Sequence, residues 1–159
     1  MTSVLRKRAA RAVLTIGLVM GAATCSSIST NITDVPTDVF APSLGIDLSQ
    51  MNLSPSGLYW IDTVVGTGEE AVLGATATVL ISGWLTDGTL FDTGTNTFDL
   101  LPSVVIAGLL EGILGMRVEG TRKLVVPTHL AWGAAGNGAV PPNATVVFEV
   151  ELQAIAVVE

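Results

Sequence analysis

Residues 145–155 read TVVFEVELQAI, and apolar residues occupy every second position along this stretch. One face of an extended chain would carry the apolar set: Val146, Phe148, Val150, Leu152 and Ala154. The opposite face would carry the polar set: Glu149, Glu151 and Gln153. Because side chains on a strand point alternately to its two faces, this pattern predicts a strand with one face on a core and the other in solvent.

Earlier segments of the chain also predict strands. Residues 58–65, 76–85 and 121–126 are rich in β-branched and aromatic residues, which are the residue types enriched in strands. Asp87-Gly88 supplies a turn after the second of these segments and leads into a short extended run at residues 90–92. The strands are therefore predicted to pair in an antiparallel manner.

One short helix is predicted between these strands. Apolar residues recur at helical spacing around Glu111: Ile106, Leu109, Leu110, Ile113 and Leu114. Several antiparallel strands and a single helix bury both apolar faces when the sheet wraps around the helix. The sequence therefore predicts an α+β fold, in which an antiparallel β-sheet wraps around one short α-helix.

The N-terminal residues have the pattern of an export signal. Residues 1–12 are basic, and residues 13–23 (VLTIGLVMGAA) are uncharged and apolar. This apolar run is too short to cross about 30 Å of hydrocarbon as a helix. A basic region, a short apolar region and a small-residue exit are typical of a secretory signal peptide, which we assign to residues 1–24.

The single cysteine, Cys25, follows the apolar run directly. The segment resembles the bacterial lipoprotein signal, in which cleavage leaves the cysteine first and its thiol carries lipid, although Thr24 departs from the usual small residue. This interpretation predicts a protein anchored to a membrane of the cell envelope through an N-terminal lipid. The alternative is cleavage after Ala23 and a soluble secreted protein, which would keep a free thiol in an oxidising compartment.

The composition changes near residue 55. Residues 25–54 are rich in Ser, Thr, Asn, Asp and Pro and have no sustained period, which predicts a flexible, lipid-anchored tether. Residues 55–159 contain all the predicted strands and the helix, and we assign them to one domain.

Charge and residue types exclude several classes of function. From Cys25 onward the chain carries three basic and 14 acidic residues, a net charge of −11, so we expect no nucleic-acid partner. His129 is the single imidazole and is predicted to be a turn or surface residue. No Ser-His-Asp or Cys-His set and no zinc-ligand spacing can be composed. The sequence therefore predicts neither a metal nor a cofactor.

Segments within residues 56–156 resemble the FKBP family of peptidyl-prolyl isomerases and follow the order found in that family. They are residues 56–59 with 66–68, residues 83–92 (GWLTDGTLFD), residues 105–116 (VIAGLLEGILGM), residues 131–133 (AWG) and residues 140–152 (VPPNATVVFEVEL). Each segment alone is a weak signal, but their common order is a specific one.

The resemblance implies a peptidyl-prolyl cis-trans isomerase that works without covalent chemistry. Rotation about an X-Pro bond crosses a barrier of about 18–20 kcal/mol, because the twist breaks amide resonance. A pocket lowers this barrier when it binds the twisted, less polar amide better than the planar one. The implied partners are proline-containing polypeptides, the implied role is to assist the folding of exported proteins, and the implied state is a monomer.

The same resemblance implies the residues of the site. The catalytic set is Phe91, Asp92, Trp132 and Phe148. The substrate-binding set is Ile81, Phe98, Val105, Ile106, Leu109 and Val140. In this assignment the Ile106 N–H donates a hydrogen bond to a substrate carbonyl, and Asp92 directs its carboxylate at the strained amide from a partly desolvated position.

Two residues depart from the family pattern and point to lower activity. Ile81 stands where the family usually has a tyrosine whose hydroxyl pairs with the aspartate, and Leu109 stands where a tryptophan often forms the floor of the pocket. The alternative function is therefore a peptide-binding or chaperone module with weak or no isomerase activity.

Overall fold

The computed structural model describes residues 38–156 of the chain. These residues form a six-stranded sheet and one short α-helix, α1 (Ala107–Ile113). The strands are β1 (Asn52–Leu53), β2 (Tyr59–Val64), β3 (Thr76–Leu85), β4 (Leu90–Asp99), β5 (Thr121–Val126) and β6 (Val146–Ala156). This architecture confirms the predicted α+β fold, and β3 and β5 have the bounds that the residue pattern predicts.

All neighbouring strands pair antiparallel, in the order β1-β2-β5-β6-β3-β4. β6 lies near the centre, where Val147 pairs with both Trp84 of β3 and Val125 of β5. β4 continues to Asp99, seven residues beyond the short run that the sequence predicts at residues 90–92. Pairing with β3 over this whole length stabilises a strand whose pattern is interrupted by Gly94 and Asn96, residue types that are depleted in strands.

The face pattern of β6 differs from the predicted one at its C-terminal end. Thr78 pairs with Ala154 and Val79 pairs with Leu152, so Gln153 is an extra residue in β6. Such a bulge reverses the faces of the residues that follow it. Ala154, predicted to face the core, is therefore exposed, and Ile155 packs against the core instead.

Helix α1 lies very close to β5, and two glycines permit this approach. A Cβ on Gly112 would lie 2.5 Å from Leu124 Cδ1, and a Cβ on Gly108 would collide with Val126 Cγ1. Spaced four residues apart, both glycines lie on the same face of the helix. The helix is thereby held against one face of the sheet, where its buried side chains Leu109 and Ile113 complete the core.

The segment of residues 40–51, here called the strap, packs on the face of the sheet opposite α1. Leu44 is 6 % exposed and packs among Tyr59, Val125 and Val147. Lys123 Nζ donates to the Leu44 carbonyl (2.9 Å). This part of the predicted flexible tether is therefore packed against the domain. The sequence prediction missed it because the strap follows two short 3-10 turns, Pro42–Leu44 and Leu48–Gln50, which have neither a strand period nor an α-helical one.

The predicted signal peptide and Cys25 lie outside the described residues, as does the first part of the predicted tether. The assignment of these segments stays a prediction from sequence. Within residues 38–156, no helix is both long enough and apolar enough to cross a membrane.

Candidate active site

Three aromatic side chains meet on the face of the sheet that packs against α1. The ring centroid of Phe91 lies 5.7 Å from that of Phe148 and 5.9 Å from that of Trp132, both in edge-to-face geometry. The rings of Trp132 and Phe148 lie 6.4 Å apart. Pairs of this kind stabilise a protein by about 0.5–1.5 kcal/mol each beyond their buried area. The structure thus brings together three of the residues that the family pattern assigns to catalysis.

Backbone irregularities place two of these rings. Phe91 lies at a bulge, because Gly83 pairs with Asp92 whereas Trp84 pairs with Leu90. Trp132 follows a short 3-10 turn, Thr128–Leu130, that ends the connection from β5. Phe148, by contrast, lies within the regular part of β6 and is almost fully buried.

The rings of Phe91 and Phe148 pack directly on the backbone of Gly83. The sequence alone assigned this glycine no role. A Cβ on Gly83 would lie 2.7 Å from Phe91 Cζ and 2.8 Å from Phe148 Cε1. Glycine weakens a strand, so its presence within β3 signals a close approach by other atoms. Here the approaching atoms are the two rings, which rest directly over the backbone.

We expect Gly83→Ala to displace the Phe91 and Phe148 rings. The added methyl group overpacks the cluster, which should lower the free energy of unfolding by about 1–3 kcal/mol and reduce kcat/KM for a proline peptide. Gly94→Ala is the matched control, because a Cβ there meets no atom within 4 Å. Urea unfolding and a kinetic assay of both variants test this expectation. Equal effects of the two substitutions would contradict it.

A cavity of about 260 Å³ opens beside the cluster. It is lined by Phe91, Asp92 and Trp132 and by the loop of residues 137–140. The loop is closed by two hydrogen bonds of 2.9 Å between the backbone groups of Asn137 and Val140. The cavity therefore has aromatic walls, one carboxylate and a defined loop at its edge.

Asp92 differs from the predicted, partly desolvated residue, because it is exposed. β4 is the last strand of the sheet, so one side of Asp92 faces solvent. Its carboxylate forms no hydrogen bond with any residue in the described part of the chain. Asp92 pairs with Gly83 of β3, and Ile81, which is 4 % exposed, lies two residues from Gly83 on the same strand.

The remaining predicted residues divide into two groups. Ile106, Leu109, Phe98 and Val140 belong to the core or pack against it, and of these four only Val140 lines the cavity. Ile106 is the residue before α1, and its N–H donates no hydrogen bond within residues 38–156. Val105 is half-buried in the preceding turn, where it forms a bridge with Pro102, and it does not line the cavity. Ile81 also lies outside the cavity lining, within the core.

Arg122 holds the end of α1, a role that the sequence did not reveal. Its Nε and Nη2 donate to the two carboxylate oxygens of Asp62 (2.6 and 3.1 Å), and its Nη1 donates to the carbonyl of Gly112 (3.0 Å). The guanidinium also lies 4.3 Å from the ring centroid of Trp60. The available signal was the position of Arg122 in β5, on the same face as the apolar residues Leu124 and Val126. The ion pair of Arg122 with Asp62 thus fixes the end of α1, the helix that carries Leu109.

Comparisons of the sequence and of the structure with known proteins identify one and the same family. The family model for FKBP-type peptidyl-prolyl cis-trans isomerase matches residues 67–153, more than half of the chain. An FK506-binding protein of Neisseria meningitidis serogroup B is 44% identical over 102 residues, which cover 60% of this chain and 94% of that protein.

Solved structures share both the fold and part of the sequence. The structure of FkpA from Escherichia coli superposes with a TM-score of 0.63 at 36% identity, covering 67% of this chain and 51% of that one. AtFKBP13 superposes with a TM-score of 0.64 at 33% identity, covering 67% of this chain and 99% of that one. The chain belongs to the family of FKBP-type peptidyl-prolyl cis-trans isomerases.

Proposed function

We propose that the chain catalyses cis-trans isomerisation of X-Pro bonds in exported polypeptides, and that it does so in the cavity beside Phe91, Trp132 and Phe148. The observation that carries this proposal is a cavity walled by the rings of Phe91 and Trp132, with the Asp92 carboxylate in its lining and Phe148 packed against both rings. Apolar walls of this kind favour the twisted amide, which is less polar than the planar one.

The polar groups have separate roles in the proposed mechanism. The N–H of Ile106, which has no acceptor within residues 38–156, donates a hydrogen bond to a carbonyl of the substrate and fixes the chain on one side of the proline. Asp92 acts from the open side of the cavity, where its carboxylate faces the carbonyl carbon of the rotating amide. The buried side chain of Leu109 packs below the proline ring.

One observation favours the second candidate, a peptide-binding module with little turnover. Asp92 has no hydroxyl partner among residues 38–156 to orient its carboxylate, and Ile81 offers only an apolar side chain on the same face. A pocket of this form can bind proline without lowering the rotation barrier strongly, because uniform binding of both amide states gives no acceleration.

Location at the membrane is also a proposal, and it rests on the sequence of residues 1–25. A chain cleaved before Cys25 and lipidated there would carry the isomerase on a membrane of the cell envelope. Mass spectrometry of the mature N-terminus tests this, since an unmodified Cys25 or a retained Thr24 would contradict it.

We expect Ile81→Tyr to raise kcat/KM on an X-Pro peptide several-fold. Ile81 is diagonal to Asp92 across β3 and β4, at a distance that an aromatic side chain can span. Gly94, directly opposite Ile81, leaves open space for the larger ring. A tyrosine hydroxyl there would donate to the Asp92 carboxylate, and at this exposed position the bond should be worth about 1 kcal/mol, which corresponds to a several-fold change.

A protease-coupled assay on one X-Pro peptide compares wild type, Ile81→Tyr, Ile81→Phe and Asp92→Ala. Ile81→Phe is the matched control, because it adds the ring without the hydroxyl. Asp92→Ala should lower kcat/KM with little change in the free energy of unfolding, since the residue is exposed. Turnover at the uncatalysed rate by wild type, together with binding of the peptide, would reject the enzyme and leave the binding module.

A further inference from the structure

β4 has a long backbone edge that pairs with nothing in the described part of the chain. It is the last strand of the sheet and hydrogen bonds to β3 on one side only. The other edge strand, β1, has only two residues, whereas β4 has ten. Natural proteins usually protect long edges with lysine, proline or bulges. β4 contains no Lys, Arg or Pro, and its bulge lies at one end, at Phe91.

The outward-facing groups of β4 can be identified from the strand pattern. The N–H of Leu100 donates to the Ala75 carbonyl (2.8 Å), and the Leu100 carbonyl accepts from the N–H of Gly74 (3.0 Å). The backbone groups of Leu100 therefore point toward β3. Because successive residues of an antiparallel strand point to opposite sides, Thr93, Thr95 and Thr97 direct their N–H and carbonyl groups away from the sheet.

This edge is continuous with the candidate active site. β4 carries Phe91 and Asp92 at the cavity, and Thr97 lies about 17 Å farther along the strand. The residue before a proline favours an extended conformation, so a polypeptide leaving the cavity along β4 already has the backbone geometry of a strand. Five residues on one side of the proline would span this distance.

We propose that residues 93–97 of β4 pair, as a strand, with the extended segment that flanks the proline of a polypeptide substrate. This inference rests on the proposed function, because the proline itself must occupy the cavity. The contacts are made by main-chain groups, so they select extended polypeptide rather than a particular side chain. The carboxylates of Asp92 and Asp99, at either end of the edge, disfavour acidic segments.

A second copy of the chain fits this edge less well. Antiparallel pairing of β4 with itself would bring Asp92 of one copy near Asp99 of the other, and like charges at neighbouring positions are destabilising. Both copies would also carry the same acidic net charge.

The test compares two peptides with the same central X-Pro sequence, a tetrapeptide and one of about nine residues that can reach Thr97. We expect wild type and Thr95→Ala to show kcat/KM about tenfold higher for the long peptide. Thr95→Pro removes the outward N–H without removing a bond to β3, so it should abolish this advantage and leave the tetrapeptide rate unchanged. A second long peptide carries methyl groups on those of its own backbone nitrogens that would pair with β4. With wild-type protein its kcat/KM should fall to that of the tetrapeptide.

The outcomes separate the two proposals. Turnover of the tetrapeptide with no advantage for the long peptide overturns the edge proposal and leaves the isomerase intact. If wild type turns over neither peptide, the isomerase proposal fails. Weaker binding of the long peptide by Thr95→Pro than by Thr95→Ala would then still support the edge proposal, and equal binding would overturn it. A wild-type dimer that Thr95→Pro converts to a monomer would assign the edge to a second copy and overturn the proposal.

Discussion

A chain that begins at Ser54 is expected to have a free energy of unfolding about 3–5 kcal/mol lower than a chain that begins at Asp38. The shorter chain lacks the strap, which covers Tyr59, Val125 and Val147 on the face of the sheet opposite α1. It also loses the hydrogen bond of 2.7 Å from the Ala41 N–H to the Thr86 carbonyl. Urea unfolding followed by tryptophan fluorescence measures the difference between the two chains.

Point variants separate the packing of the strap from other effects of truncation. Leu44→Ala should account for about 2–3 kcal/mol of the loss, because Leu44 is the buried residue of the strap. Val39→Ala is the control, since that side chain is 89% exposed and its removal should change the free energy of unfolding by less than about 0.5 kcal/mol. Equal stability of the long and short chains would show that the strap contributes nothing, as the sequence alone suggested.

Arg122→Met is expected to lower the free energy of unfolding by about 3–5 kcal/mol. The substitution leaves Asp62 without its partner and removes the donor that binds the Gly112 carbonyl at the end of α1. Because α1 follows Ile106 directly and carries Leu109, we also expect KM for a proline peptide to rise. Thermal unfolding and steady-state kinetics measure the two effects.

Arg122→Lys tests whether the shape of the guanidinium matters as well as its charge. Lysine keeps the positive charge but cannot donate to Asp62 and to the helix carbonyl with one planar group. We expect the free energy of unfolding of Arg122→Lys to lie between the values of wild type and Arg122→Met. A full return of stability in Arg122→Lys would mean that charge alone holds the helix.

Much of the fold follows from local pattern, and the rest depends on partners distant in the sequence. β3 and β5 are rich in β-branched residues and were predicted with their observed bounds. β4 was predicted too short because Gly94 and Asn96 interrupt its strand pattern and its stability comes from pairing with β3. The bulge at Gln153 depends on the register against β3, which no pattern within β6 contains.

The candidate site shows the same division. The resemblance to a family named Phe91, Trp132 and Phe148, and the structure brings their rings together. The exposure of Asp92 could not be predicted, because it depends on the order of strands in the sheet. The contact of Gly83 with two aromatic rings is likewise visible only in three dimensions.

The position of β6 has a consequence for the order in which the domain folds. β6 is the last of the strands within residues 38–156, yet it separates β3 from β5, and Thr76 pairs with Ala156 at its far end. During synthesis the β3–β4 hairpin can form early. The edge of β3 that faces away from β4 has no partner strand until residues 146–156 have been synthesised. Pairings between such distant residues give folding times on the order of milliseconds to seconds. The core should therefore close in one late step, and nascent chains that end before Val146 should remain sensitive to protease.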